Sequence, residues 1–222
     1  KGRFEVNAFT KSAHAVGGDL YCITRLPDGQ LGIALGDVSG KGVPAALYMA
    51  RMISEFRLFS AQSASVQEVV EKLNQALAQR SMRGMFVTFA YGTLAPDTGL
   101  LRMVNAGHLP PIRVGADGAV QPVAAAGGPP LGVVPGLSYQ EQAVQLAPGD
   151  RILLYSDGIL EARGVGGEEF GEQRILDVAS SSKKGADGLL KGVLDAVKEF
   201  SSGTPQMDDM TLIAAAWTGK GE

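Results

Sequence analysis

The sequence predicts an α+β fold: a β-sandwich of two antiparallel sheets flanked by helices. Apolar or alternating runs are joined repeatedly by turn chemistry, as at Pro27-Asp28-Gly29-Gln30, Pro96-Asp97-Thr98-Gly99 and Gly115-Ala116-Asp117-Gly118. Consecutive hairpins of this kind build antiparallel sheets. The helical stretches are segregated instead of alternating with strands, which excludes a βαβ repeat. About ten strands need two sheets packed face to face. Hydrophobic side chains make up 45% of the 222 residues and charged ones 19%, so a sizeable core is available. No linker or repeat divides the chain, and residues 1–222 read as a single domain. Because the chain opens on Lys1, it is expected to be part of a longer protein.

In order, Phe4, Val6 and Ala8 alternate with Glu5 and Asn7, the pattern of a half-buried strand. Leu20–Leu26 and Leu31–Gly36 form a hairpin across Pro27–Gln30. Its geometry sets the start of one strand, Asp19, beside the end of the other, Asp37. Pro44 opens a helix to about Phe59 that is apolar on most sides, so it is buried on more than one face or meets a partner. Met49 and Met52 read as its core filler or as contacts for an upstream domain. Ser65 with Glu68 is a capping box for a second helix carrying Val66, Val69, Val70, Leu73 and Leu77. Phe86–Ala95 with Leu100–Asn105, and Ile112–Val114 with Val120–Val123, are two further hairpins. Gly127–Gly132 is a loop. Tyr139–Leu146 is a modest strand and Asp150–Tyr155 a strong one. A short helix over Glu172–Ala179 and a clear one over Asp187–Phe200 precede the last strand, Thr211–Trp217. Gly164–Gly171 reads as a flap or a plain loop.

Charge and cysteine content narrow the function. Net charge is −3 and no basic block exceeds Lys183-Lys184, against nucleic acid as the main partner. The single cysteine, Cys22, allows no internal disulfide. With no signal peptide and no apolar run of bilayer length, the cytoplasm is the expected location and no membrane insertion is expected.

The chemistry lies at strand ends. Asp19, Asp37, Asp157 and Asp208, with Asp209 adjacent, each sit beside glycine or a second acid. Singly, such pairs are ordinary turns. If they converge, like charges need a cation to stay ionised. Hard oxygen ligands, with no cysteine or paired histidines nearby, select Mg²⁺ or Mn²⁺ over zinc. Two such ions about 3.5–4 Å apart can clamp a phosphoryl oxygen and acidify a bridging water. The implied reaction is hydrolysis of a phosphate ester. Lys41 is a nearby cation that can steer or neutralise phosphate, or simply solvate its loop. His108 is read as structural, with Asn105-Ala106-Gly107-His108 as a turn at a sheet corner.

Gly17-Gly18-Asp19, Gly36-Asp37-Val38-Ser39-Gly40-Lys41-Gly42 with Ala45-Ala46, Asn105-Ala106-Gly107-His108, Gly128-Pro129-Pro130-Leu131-Gly132, Tyr155-Ser156-Asp157-Gly158 and Asp208-Asp209-Met210-Thr211-Leu212 follow one another in this order. The set resembles the metal-dependent protein phosphatase (PPM) family, in particular its bacterial branch of sporulation stage II E-like and RsbU-like serine phosphatases. The likeness runs from about Asn7 to Trp217.

The resemblance implies a PPM-type sandwich with two Mn²⁺ or Mg²⁺ ions at one edge. Asp37 would bridge them, the Val38 carbonyl would ligate one, and Asp19 would act on one directly or through water. Asp157 and Asp208 would hold the other, with Asp209 behind them. Asp37, Asp19 and Lys41 are thus the expected catalytic residues, and Asp19, Asp37, Val38, Asp157, Asp208 and Asp209 the expected metal set. The implied activity is a serine/threonine protein phosphatase in which a metal-activated water attacks phosphoserine or phosphothreonine. The implied substrate is a phosphorylated regulatory protein, a STAS-domain anti-sigma factor antagonist. Regulation would come from an upstream sensor or receiver domain, and the resemblance leaves room for a homodimer. A broad-specificity phosphatase and a catalytically silent binding domain are the alternatives. Ser39 stands where eukaryotic relatives carry a proposed general-acid histidine, and Cys22 where many relatives carry an acid, so neither role is transferred.

Overall fold

The computed structural model describes residues 4–13, 17–40, 42–63, 65–79, 84–124 and 127–219. It consists of two five-stranded, wholly antiparallel sheets between two helical layers. The first sheet contains β2 (Asp19–Arg25), β3 (Leu31–Val38), β4 (Val87–Leu94), β5 (Leu100–Ala106) and β8 (Gln142–Gln145), in that spatial order. The second runs β1 (Phe4–Lys11), β10 (Met210–Trp217), β9 (Arg151–Tyr155), β6 (Ile112–Val114), β7 (Val120–Pro122). Helices α1 (Val43–Gln62) and α2 (Val66–Gln79) cover the first sheet, and α3 (Asp157–Leu160), α4 (Gly171–Ser181) and α5 (Gly185–Phe200) the second. None of these helices is long and apolar enough to cross a membrane.

Strand periodicity assigns residues to layers. On β3, Ile33 and Leu35 point between the sheets while Ala34 and Val38 meet α1 and α2. On β10, Ile213 and Trp217 fill the inter-sheet core while Leu212, Ala214 and Ala216 face the α4–α5 layer. A period of two with both faces covered explains why these strands read as continuous apolar runs. Under α1, Phe56 packs edge-on against Phe89 and Tyr91, with centroids 5.5 and 4.9 Å apart. The cap of α2 forms as expected: the Glu68 N–H donates to Ser65 Oγ at 3.1 Å.

Two expectations are corrected. The strand foreseen over Tyr139–Leu146 shrinks to Gln142–Gln145, because Tyr139 is buried and donates its N–H to Glu71 on α2 and its O–H to the Pro129 carbonyl. The one-turn helix α3 begins at the aspartate where only a strand end was expected. Gly164–Gly171 closes as a hydrogen-bonded turn, with Gly164 N–H on the Glu168 carbonyl and Gly167 N–H on the Gly164 carbonyl; beside it Phe170 is buried.

Candidate metal and phosphate site

The β2–β3 hairpin sets the first half of the site. Its turn closes through Leu26 N–H on the Gln30 carbonyl, and Asp28 caps the Gln30 N–H. The register this fixes makes Asp19 and Asp37 direct cross-strand partners. Like charges directly opposite are unfavourable in a sheet, so the pairing exists in spite of its electrostatics. The preceding glycines now have a reason. A Cβ on Gly18 would lie 2.9 Å from Asp37 Oδ1 and 3.1 Å from the Val38 carbonyl oxygen, and one on Gly17 would lie 2.3 Å from Asp209 Oδ2.

The second half is joined by Ser156. Its buried hydroxyl accepts the Thr211 N–H at 2.9 Å and donates to the Asp209 carbonyl at 3.1 Å. Its own N–H bonds the Thr211 carbonyl. Strand β9, which leads through Ser156 into Asp157 at the start of α3, is thereby stitched to the segment carrying Asp208 and Asp209. Gly158 follows because any side chain there would strike backbone: a Cβ would stand 2.1 Å from the Asp209 carbonyl oxygen. The two halves meet through Asp209. Its Oδ2 accepts the Gly18 N–H at 2.6 Å and the Asp19 N–H at 3.4 Å, and its Oδ1 the Ala13 N–H at 2.8 Å.

The acids therefore differ in circumstance. Asp209 is buried but provided with three N–H donors. Asp19 has Oδ2 buried without a hydrogen-bond partner, and burial raises its pKa to about 7. The Thr211 and Ser156 hydroxyls oppose that rise, while Asp209 and Asp157 add to it. Asp37 is raised to about 7 as well, first by burial and then by Asp19, Asp157, Asp208 and Asp209. Mutual repulsion of this kind shows that the acids share one electrostatic neighbourhood. Among the described residues, no three His, Cys, Asp or Glu side chains are drawn close enough to enclose an ion in the positions they take here. Electrostatic coupling reaches further than coordination, so the two observations are compatible. Hard oxygen donors, an orphaned buried carboxylate oxygen and unrelieved repulsion together fit a hard divalent cation.

Asp37 and Asp157 line one cleft of about 240 Å³ with Thr88, Gly107, His108, Leu109 and Pro110. His108 is a wall. Its Nδ1 meets Thr88 Oγ1 at 2.9 Å, and its backbone N–H and carbonyl are both held by the Asn105 side chain. Burial pushes its pKa down to about 4, so it stays neutral near pH 7. Gly107, at φ 71°, completes the corner turn that the sequence foresaw. Ser39 ties its loop to Phe86 through both backbone and hydroxyl. Lys41 lies outside the described residues. Ser156, Thr211 and Thr88 were missed as contributors, and the only signal was that Ser156 sits between the strand and Asp157.

Comparison with known proteins bears on the family and the fold. The profile of the stage II sporulation protein E (SpoIIE) family matches residues 27–218. The chain is 27% identical over 211 residues to phosphoserine phosphatase RsbU of Bacillus subtilis, a match covering 94% of this chain and 62% of RsbU. Among solved structures it resembles the RsbU and RsbW domains of Rv1364c from Mycobacterium tuberculosis (TM-score 0.81, 27% identity, 99% of this chain and 61% of that one). It also shares the fold of the PP2C phosphatase domain of SpoIIE from Bacillus subtilis (TM-score 0.82, 19% identity, 96% of this chain and 63% of that one). The chain spans less than two thirds of the curated relatives it matches.

Proposed function

The chain belongs to the SpoIIE family, and on that premise we propose that it is a metal-dependent protein phosphatase domain acting on phosphoserine or phosphothreonine of a regulatory protein, a STAS-type anti-sigma factor antagonist. The observation that carries this reading is the meeting of strand-end acids from both sheets, with Asp19 Oδ2 buried and unpartnered. Asp19, Asp37, the Val38 carbonyl, Asp157 and Asp208 are the groups that would hold two Mn²⁺ or Mg²⁺ ions. When bound, such ions supply Lewis acidity toward a phosphoryl group and acidify water.

The chain's own residues prepare the place for that chemistry. Gly18 keeps the space beside Asp37 Oδ1 and the Val38 carbonyl open. Ser156 fixes the Asp157 end to the Asp208 end, and Asp209 fixes both to the Gly17–Asp19 turn. We assign Asp209 to this bracing in place of a ligand position, since its oxygens already accept three N–H groups. The cleft lined by Asp37, Asp157 and the neutral His108 would receive the phosphoryl group. A phosphate would be repelled by unneutralised acids, so turnover depends on the cation. Cytoplasmic location and control by an upstream sensor or receiver domain complete the proposal. In the decisive assay the purified domain is mixed with phosphorylated STAS proteins. Dephosphorylation that requires Mn²⁺ and vanishes in Asp37→Asn supports it. Turnover without metal, or undiminished in Asp37→Asn, refutes it.

A further inference from the structure

The first sheet ends on β2, which pairs with β3 on one side only. The register fixes which of its main-chain groups are left over. Val38 N–H bonds the Gly18 carbonyl and Leu26 N–H bonds the Gln30 carbonyl, so the even-numbered residues of this strand face β3. In an antiparallel pair the alternate residues turn their N–H and carbonyl away from the partner strand. On β2 these are Asp19, Tyr21, Ile23 and Arg25. The Asp19 N–H is taken by Asp209. Among the described residues, no hydrogen bond reaches the outward groups of Tyr21, Ile23 or Arg25.

Proteins usually blunt such an edge by shortness, proline or charge. Here β7 is three residues long and holds Pro122, and β8 is four residues long. β2 runs for seven residues without proline. Beside it lies a groove of about 480 Å³, with Cys22, Ile23, Leu26 and Pro27 along one wall and the end of α1, at Arg57, Ser60 and Ala61, along the other. Among the described residues, its charged lining is Arg25 and Arg57, both exposed. Neither pairs with an acid among those residues. The neighbouring acids are occupied: both Asp28 carboxylate oxygens accept from Gln30, and Glu55 on α1 is held by Arg51 at 3.0 Å. Arg25 alone would serve to keep an edge solvated. Arg57 stands on the helix wall, where it does nothing for the strand.

We infer that this edge docks an extended, acidic segment of a partner protein, which adds to the sheet as a further strand: its main chain pairs with Tyr21, Ile23 and Arg25, and its carboxylates face Arg25 and Arg57. Strand addition of this kind draws affinity from main-chain bonds and specificity from side chains. Two unpaired guanidiniums select acidic side chains over basic ones. A second copy of β2 fits less well, because its single acid, Asp19, lies among the site acids with Oδ2 buried. Arg25 is roughly 20 Å along the strand from Asp19. Docking is therefore separate from the phosphoryl cleft and does not rest on the phosphatase reading.

The experiment titrates the protein into a fluorescent peptide of about eight residues, one strand length, alternating Glu and Val, and follows anisotropy at near-physiological salt. Two companions are measured alongside: the same peptide with Lys for Glu, and the Glu–Val peptide N-methylated throughout, which keeps the charge and removes the main-chain donors. The Glu–Val peptide is expected to bind about 10-fold or more tightly than the Lys–Val peptide, the scale of two surface ion pairs. N-methylation is expected to weaken it by about 10-fold or more. The double variant Arg25→Glu/Arg57→Glu, with both changes at exposed positions, is expected to weaken Glu–Val binding by about 10-fold and to strengthen Lys–Val binding, at an unchanged melting temperature. No saturable binding of the Glu–Val peptide, equal affinity for its N-methylated form, or binding unaltered in the double variant overturns the proposal. So does a concentration-dependent dimer in sedimentation that the double variant abolishes, because the edge then belongs to a second copy.

Discussion

The two ends that make the site are built differently. The Asp19–Asp37 end is local: a single hairpin sets both acids opposite each other through one turn and one register. The Asp157–Asp208 end is assembled across the chain, by Ser156 bonds spanning 53 and 55 residues and Asp209 bonds spanning 190 or more. The local end holds acids with little relief, and the long-range end supplies the bracing. Asp37 and Asp209 are the same side chain under opposite conditions, one strained by its neighbours and the other satisfied by N–H groups. Function is expected where the charge is unrelieved, and stability where it is satisfied.

The largest effect separating the two is on turnover. Asp37→Asn is expected to lower Mn²⁺-dependent hydrolysis of p-nitrophenyl phosphate by on the order of 10³-fold, since a carboxylate proposed to hold the metal is lost. In the metal-free protein at pH 7.5 the same change is expected to stabilise, by on the order of 1 kcal/mol or roughly 2–4 °C in melting temperature, because it removes a repelled buried charge. A fall in melting temperature would break the contrast at its strained end.

Gly158→Ala comes next. Its Cβ meets a backbone oxygen that cannot rotate away, so a loss of about 3 kcal/mol is expected in urea unfolding. Asp209→Asn should cost about 2 kcal/mol, since an amide cannot accept all three N–H donors that Asp209 serves. Its sign is opposite to that of Asp37→Asn, and a stabilised Asp209→Asn would erase the division between the two acids. Ser156→Ala is expected to cost about 1–2 kcal/mol by orphaning the buried Thr211 N–H.

The mildest test is of pH. Asp19 and Asp37 have folded pKa values of about 7 against an ordinary aspartate value of 3.8, so between about pH 4 and 7 the metal-free native state binds more protons than the unfolded chain. Stability then falls as pH rises through that window. The metal-free melting temperature is expected to decline from pH 5 to pH 7.5, and less so in Asp19→Asn or Asp37→Asn. His108, already neutral above about pH 4, should add no inflection near 6.5 to the rate profile.

Legibility followed the same divide. The hairpin and its facing acids were readable because turn residues and a period of two are local signals. The capping of α2 and the corner turn at Asn105–His108 were readable for the same reason. Helix α3 escaped because four residues, Asp157–Leu160, are too few to display a 3.6-residue period. The adjacency of β9 and β10 has no local signature, so the meeting of Asp157 with Asp208 rested on resemblance alone. Nothing in Asp208-Asp209 tells which carboxylate turns toward the Gly17–Asp19 backbone. Only the pairing of β10 with β9 and β1 settles it.

The central claim, that the strand-end acids are gathered for a divalent cation, is tested most directly by melting the metal-free protein at pH 7.5 with and without added Mn²⁺. The account predicts a clear rise in melting temperature that is lost in Asp37→Asn and retained in Asp209→Asn. An unchanged melting temperature in wild type, or an equal rise in Asp37→Asn, would contradict it.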